Sequence, residues 1–110
     1  MESVAYNEAQ ELLPVELHFL DQQAKLFQNQ PNPFQQFTTI GFQLPKATRG
    51  TIRILDISGR LLKSYNDNFQ IGYNEIQVDV SDLTLHGGVF YYQLETPITE
   101  RLSKKMIVVQ

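Results

Sequence analysis

Few residues of this sequence are spaced for chemistry. Its two histidines, His18 and His86, lie far apart, and neither stands in an H-x-x-x-H or H-x-E pattern. A histidine-based metal site is therefore not expected. His86, beside Gly87-Gly88, reads as a polar loop residue. The five serines lack G-x-S-x-G context, and no phosphate-cradling glycine loop occurs. Cysteine is absent, which removes disulfides, thiolate zinc sites, iron–sulfur clusters and cysteine nucleophiles together. Asp79 and Asp82 flank Ser81 and could be read as paired carboxylates or a calcium corner. A hard cation wants more carboxylates at defined spacing. The preferred reading is that Ser81 or Asp82 caps a short turn leading to Leu83. Tyr91 and Tyr92 could form a sugar-binding face, but aromatic residues on a strand more often serve sheet packing. Lys104-Lys105 is too short for a nucleic-acid patch and reads as a solvated approach to the last strand. No nucleophile, base and metal converge, so neither an enzyme nor a cofactor is expected.

The elements that hold these residues have a period of two. The chain has 110 residues, 42% hydrophobic and 11% aromatic, which fits one domain. Ile40, Phe42 and Leu44 alternate with Thr39, Gly41 and Gln43; Ile52 and Ile54 alternate with Thr51, Arg53 and Leu55. Ile76, Val78 and Val80 alternate with Glu75, Gln77 and Asp79, the cleanest amphipathic strand pattern in the chain. Val89 to Leu94 is aromatic on both faces, which suits a central strand. Met106 to Val109 is an apolar terminal run. Turn signals separate these runs: Pro31-Asn32-Pro33, Pro45-Lys46-Ala47, Ser58-Gly59, Asn66-Asp67-Asn68, Gly72, His86-Gly87-Gly88 and Pro97. Ser58-Gly59 reads as a tight hairpin with Gly59 at positive φ. About seven short strands with turns every 8–12 residues predict an all-β antiparallel sandwich. Its expected core is Ile40, Phe42, Leu44, Ile52, Ile54, Leu62, Ile76, Val78, Val80, Leu83, Phe90, Leu94 and Val108.

Charge divides the chain. The net charge is −3, but residues 1–25 carry five acids and one lysine, and residues 26–110 carry seven acids and eight bases. That is −4 on an acidic leader against +1 on the β part. The leader, 1–25, reads as a linker or the end of a preceding region. A weak helical stripe runs from Val4 to Leu12 and ends near Pro14, and an extended stretch covers Leu13 to Leu20. No run approaches 18 apolar residues and no export signal opens the chain. The mild acidity argues against nucleic-acid binding.

Residues 26–110 resemble the type A C-terminal sorting domain of the type IX (Por) secretion system of Bacteroidetes-type bacteria. Leu26 to Phe34 resembles its opening segment, centred on Pro31-Asn32-Pro33-Phe34. Ile54 to Arg60 resembles the family hairpin, with Asp56, Gly59 and Arg60 at its marked positions. Gly72 and Glu75 match the middle motif; Leu83, Gly88, Phe90 and Tyr91 match the leucine, glycine and aromatic-strand motif. Phe90 stands where the family usually has Tyr. Lys104-Lys105 through Val108 resembles the terminal lysine pair and apolar strand. The resemblance implies an immunoglobulin-like sandwich that rides at the C-terminus of an exported cargo and has no catalysis of its own. It implies the outer-membrane translocon and a sortase-type peptidase as partners, with transit through the periplasm to the cell surface or medium. It further implies removal of the domain and attachment of cargo to anionic lipopolysaccharide, with cleavage inside 1–25 or just before Pro31. The alternative is an immunoglobulin-like adhesion or carbohydrate-binding accessory module.

Overall fold

The structure, a computed structural model, describes residues 23–83 and 87–109. The leader readings over 1–22, and His86, fall outside the described residues. Seven strands form: β1 (Lys25–Leu26), β2 (Phe37–Leu44), β3 (Thr48–Leu55), β4 (Leu61–Phe69), β5 (Gly72–Asp79), β6 (Gly88–Thr96) and β7 (Thr99–Val108). They make two antiparallel sheets, ordered β1-β2-β5 and β4-β3-β6-β7. In this immunoglobulin-like sandwich the fourth strand joins the larger sheet. The only other regular element among the described residues is a single 3₁₀ turn, Val80–Leu83.

Alternation decides which face each strand buries. Ile40, Phe42 and Leu44 on β2 face Ile52 and Ile54 on β3 and Phe90, Tyr92 and Leu94 on β6, each 5% exposed or less. Phe42 meets Phe69 edge-on, with ring centroids 4.8 Å apart, a geometry in which a positive ring edge meets a negative face. Of the expected core, Leu62, Ile76 and Val80 are only partly buried against it. β4 and β5 are edge strands, covered from one side alone, so Leu62 and Ile76 keep some contact with water, and Val80 lies beyond β5. Leu26, Phe34, Phe69, Tyr92 and Met106 complete the core.

Other expectations are corrected. Asn66-Asp67-Asn68 is no turn: these residues lie inside β4, opposite Thr51, Gly50 and Arg49. An edge strand tolerates such residues because one side of its backbone is solvated, and the Thr51 hydroxyl bonds Asn66 Oδ1 at 2.6 Å. Val80 leaves the strand for the 3₁₀ turn. Neither Ser81 nor Asp82 caps that turn. Asp79 does, its Oδ1 accepting from the Ser81 N–H at 2.9 Å and the Ser81 hydroxyl at 2.8 Å. Lys104 and Lys105 lie within the last strand, which already starts at Thr99.

Candidate functional site

The Pro31–Phe34 segment ties one sheet to the other. β1 pairs with β2, after which the chain crosses the gap between the sheets. Gln30 bridges Thr39 of β2, and Phe34 bridges Val108 of β7 in parallel. The Gln30–Pro31 and Asn32–Pro33 peptides are both cis. Pro31 and Pro33 lack N–H groups, so the crossing leaves fewer donors to satisfy. At its far end the Phe34 N–H donates to Ile107 O at 3.1 Å, and the Val109 N–H donates to Phe34 O at 2.9 Å. Asn32 Oδ1 accepts the Ile107 N–H at 2.8 Å. The motif thus covers the outer edge of β7, which would otherwise offer unpaired groups to another chain.

A buried polar knot holds this seam. Asn29 is fully buried. Its side-chain amide donates to Pro31 O at 3.1 Å and to the Thr38 hydroxyl at 3.0 Å. Its backbone N–H donates to the Tyr92 hydroxyl at 2.9 Å, and that hydroxyl donates to Phe27 O at 2.7 Å. Gln28 Nε2 reaches Lys105 O at 2.7 Å. Asn29, Thr38 and Tyr92 were not among the expected site residues. Two of them carried a signal, since Thr38 shares the inward parity of Ile40 and Tyr92 that of Phe90 and Leu94. Asn29 sits on no pattern. Tyr92 is fully buried whereas Tyr91 is 38% exposed on the opposite face, so the two tyrosines form no common sugar-binding face. Burial pushes the Tyr92 hydroxyl up to about 12.

The hairpin joins β3 to β4 through five residues, Asp56 to Arg60, rather than the tight two-residue turn expected. Asp56 organises it. Its Oδ1 accepts from the Ser58 N–H at 2.9 Å, the Ser58 hydroxyl at 2.6 Å and the Arg60 N–H at 2.9 Å. Its Oδ2 takes the Arg60 guanidinium at 3.1 Å. Gly59 stands at φ +89°, a region that a Cβ disfavours. Gly72 does the same at φ +90°, where β5 begins.

Register shows which motif residues meet. Leu55 lies opposite Leu61 and Tyr91, Tyr91 opposite Lys105, and Gly88 opposite Val108. Pro31–Phe34, Asp56, Gly59, Arg60, Gly88, Phe90, Tyr91, Lys105 and Val108 therefore gather toward one end of the sandwich. Lys104 lies opposite Tyr92 on the other face of β7. Leu83, the last residue of the 3₁₀ turn, is fully buried. Gly72 and Glu75 stand apart. Gly72 lies opposite Leu44 at the far end of the smaller sheet, and Glu75 accepts a hydrogen bond from the Tyr73 hydroxyl at 3.0 Å.

Three carboxyls sit below their ordinary range. Asp56 is lowered chiefly by the Ser58 hydroxyl, Asp79 by the Ser81 N–H, and Glu95 by hydrogen bonds from Arg101 and Arg53. A carboxyl lowered in the fold adds stability that is complete above its unfolded value and is lost as pH falls through the folded one. The ordinary values are 3.8 for the aspartates and 4.5 for the glutamate. Thermal unfolding followed by circular dichroism should give a flat midpoint from about pH 7 to pH 5 and a decline below about pH 4. The double variant Asp56→Asn, Glu95→Gln should show a shallower decline; an unchanged one would refute these two groups as its source.

The arrangement is a set of hydrogen-bonded turns and a sealed seam. No cluster of three or more His, Cys, Asp or Glu able to hold a metal occurs among the described residues. No helix among them is long and apolar enough to cross a membrane. No curated protein matches the chain. A family model described as "Secretion system C-terminal sorting domain" matches residues 30–109, from the bridge at Gln30 to the final bond of Val109. The chain belongs to the family of secretion-system C-terminal sorting domains, the type IX sorting signals.

Proposed function

We propose that this domain is the folded address of a larger exported protein. It presents a cargo to the outer-membrane translocon of the type IX system, after which a sortase-type peptidase removes the domain and leaves the cargo at the cell surface. The family match over residues 30–109 carries this reading. Members of that family are sorting signals rather than catalysts. The seam adds physical support, because the matched stretch opens at the Gln30–Thr39 bridge and reaches the β7 edge that Phe34 pairs, which favours a closed fold over a linear tag as the signal.

The fold also bears on where cleavage can occur. Peptidases need accessible, extended chain. A cut just before Pro31 would fall between buried Asn29 and its acceptor Pro31 O, and would detach β1. The proposed cut therefore lies upstream of Ala24, which packs against the core, within the acidic leader 1–25.

The test fuses the full chain behind a fluorescent protein with its own export signal, in a host with a type IX system. The fusion should reach the surface or medium, and mass spectrometry of the released reporter should place its new C-terminus before Ala24. Retention of the fusion inside the outer membrane would overturn the sorting role. A terminus at Gln30 would overturn the cleavage assignment alone.

A further inference from the structure

We propose that the hairpin end of the larger sheet's outer face is a docking surface for a protein partner with an apolar centre and carboxylates at its margin. Side chains on this face divide sharply along the strands. Toward the Thr48 end it is polar, with Arg53 and Arg101 paired to Glu95, and with Thr51, Asn66, Gln93 and Ser103 beside them by register. Toward the hairpin the same face turns apolar. Leu61, Leu55 and Tyr91 form one row across β4, β3 and β6, and Val89 and Ile107 form the next. Ile57, in the turn between Leu55 and Leu61, is 76% exposed; Leu61 is 51% and Tyr91 38% exposed, and Leu55, Val89 and Ile107 are half-buried between them.

A contiguous exposed apolar patch of this kind marks an interaction site more often than chance. Here the turn that presents it is also built. Asp56 accepts four hydrogen bonds from Ser58 and Arg60, which hold the loop carrying Ile57 in one shape. A side chain held in place before binding loses less freedom on docking. The seam does not need Ile57, Leu61 or Tyr91, and no core contact explains their exposure.

Charge selects the occupant. Arg60, whose side chain is 72% exposed, and Lys105, opposite Tyr91, flank the patch. Lys105 has no ion-pair partner among the described residues. The carboxylate in this turn, Asp56, is already turned to Ser58 and Arg60, and Asp79 and Asp82 lie by Tyr65, whose ring is on the inward side of β4. Arg60 is held to Asp56, so a second copy of the chain would bring another Lys105 to this patch and no unpaired carboxylate to meet it, which disfavours self-association. Two cations are also fewer than the clusters that hold a protein on an anionic bilayer. A protein surface with acidic margins answers both features.

The proposal rests on the sorting role, so its test separates the two. The full chain is fused behind the exported fluorescent protein as wild type, Ile57→Asp, Leu61→Asp and Ile71→Asp. Ile71 is 58% exposed in the turn before β5, at the far end, and serves as a matched control. All four should unfold within a few degrees of one another. Surface delivery should fall about tenfold or more for Ile57→Asp and Leu61→Asp, the size expected for loss of a central contact, and stay at the wild-type level for Ile71→Asp. Normal delivery of the folded Ile57→Asp fusion, or an equal loss for Ile71→Asp, overturns the docking surface and leaves the sorting role standing. Failure of the wild-type fusion overturns the sorting role itself. Concentration-dependent dimerisation, or flotation with anionic phosphatidylglycerol vesicles, that Leu61→Asp abolishes would show a different occupant and overturn the assignment to a protein partner.

Discussion

Deletion of Met106 through Gln110 unfolds the domain and holds a fused reporter inside the outer membrane. Met106 is fully buried and Val108 only 3% exposed. Burying such side chains contributes about 1.5–3 kcal/mol each, so their loss removes roughly 3–6 kcal/mol before any other effect. The same deletion strips β6 of its partners opposite Gly88, Val89 and Phe90. It also takes away Ile107 and Val109, which hold Asn32 and Phe34 in place. Phe34, 2% exposed in the intact fold, then loses the strand it packs beside. A domain of this size has a total margin of about 5–15 kcal/mol, so the lost burial, strand pairing and seam bonds together remove most of it. Circular dichroism should show no cooperative thermal transition at neutral pH, and fractionation should place the reporter in the periplasm. A cooperative transition within a few degrees of the intact chain would refute the view that the terminal strand closes the fold. Normal surface delivery of the truncated fusion would refute the folded shape as the signal.

The second large effect comes from a single oxygen. Tyr92→Phe keeps the ring and removes the hydroxyl that joins the Asn29 N–H to Phe27 O. The Asn29 N–H then lacks that partner at a buried site, and Phe27 O at a part-buried one. An unsatisfied buried group costs about 1–3 kcal/mol and a part-buried one less, so the variant should lose roughly 2–4 kcal/mol. For a domain of this length that is a fall in midpoint of about 10–25 °C. Tyr91→Phe, one residue away on the exposed face, should shift the midpoint by no more than a few degrees. Alkali should act like the Tyr92 substitution, together with Tyr65, which burial also raises to about 12. The Tyr92 hydroxyl's value rises from 10.0 to about 12 in the fold, so the neutral form's contribution is complete below pH 10 and lost as pH climbs toward 12. Denaturant unfolding of both variants at pH 7, and of the wild type and Tyr92→Phe from pH 8 to 12, measures these effects, the difference between the two alkaline series being the Tyr92 share. Equal midpoints for wild type and Tyr92→Phe would show that the knot does not hold the seam.

The legible part of this molecule was its strands. Residues two apart in sequence share a face of a strand, so Ile40, Phe42 and Leu44, or Ile52 and Ile54, announce their burial without reference to any other strand. Ser81 illustrates the opposite case. Its context marks a capped turn, yet Ser, Asp and Asn all bond nearby backbone groups, and which residue supplies the cap depends on the path of the chain. Asn66-Asp67-Asn68 misled for a related reason. Turn-forming residues are tolerated in a strand that has solvent along one edge, and edge status is a property of the sheet.

By itself, the sequence determined the fold class, most of the core and the family, because alternation, turn residues and ordered motifs are local quantities that survive without a partner. Only the tertiary structure decided the site. It carried Phe34 to Val108 across 74 positions of the sequence, joined Asn29 to Tyr92, set Tyr91 and Tyr92 on opposite faces, and left Gly72 and Glu75 apart from the other motif residues. Such contacts depend on which strands become neighbours and in what register. That is settled by the collective burial of two sheets, and no single segment encodes it.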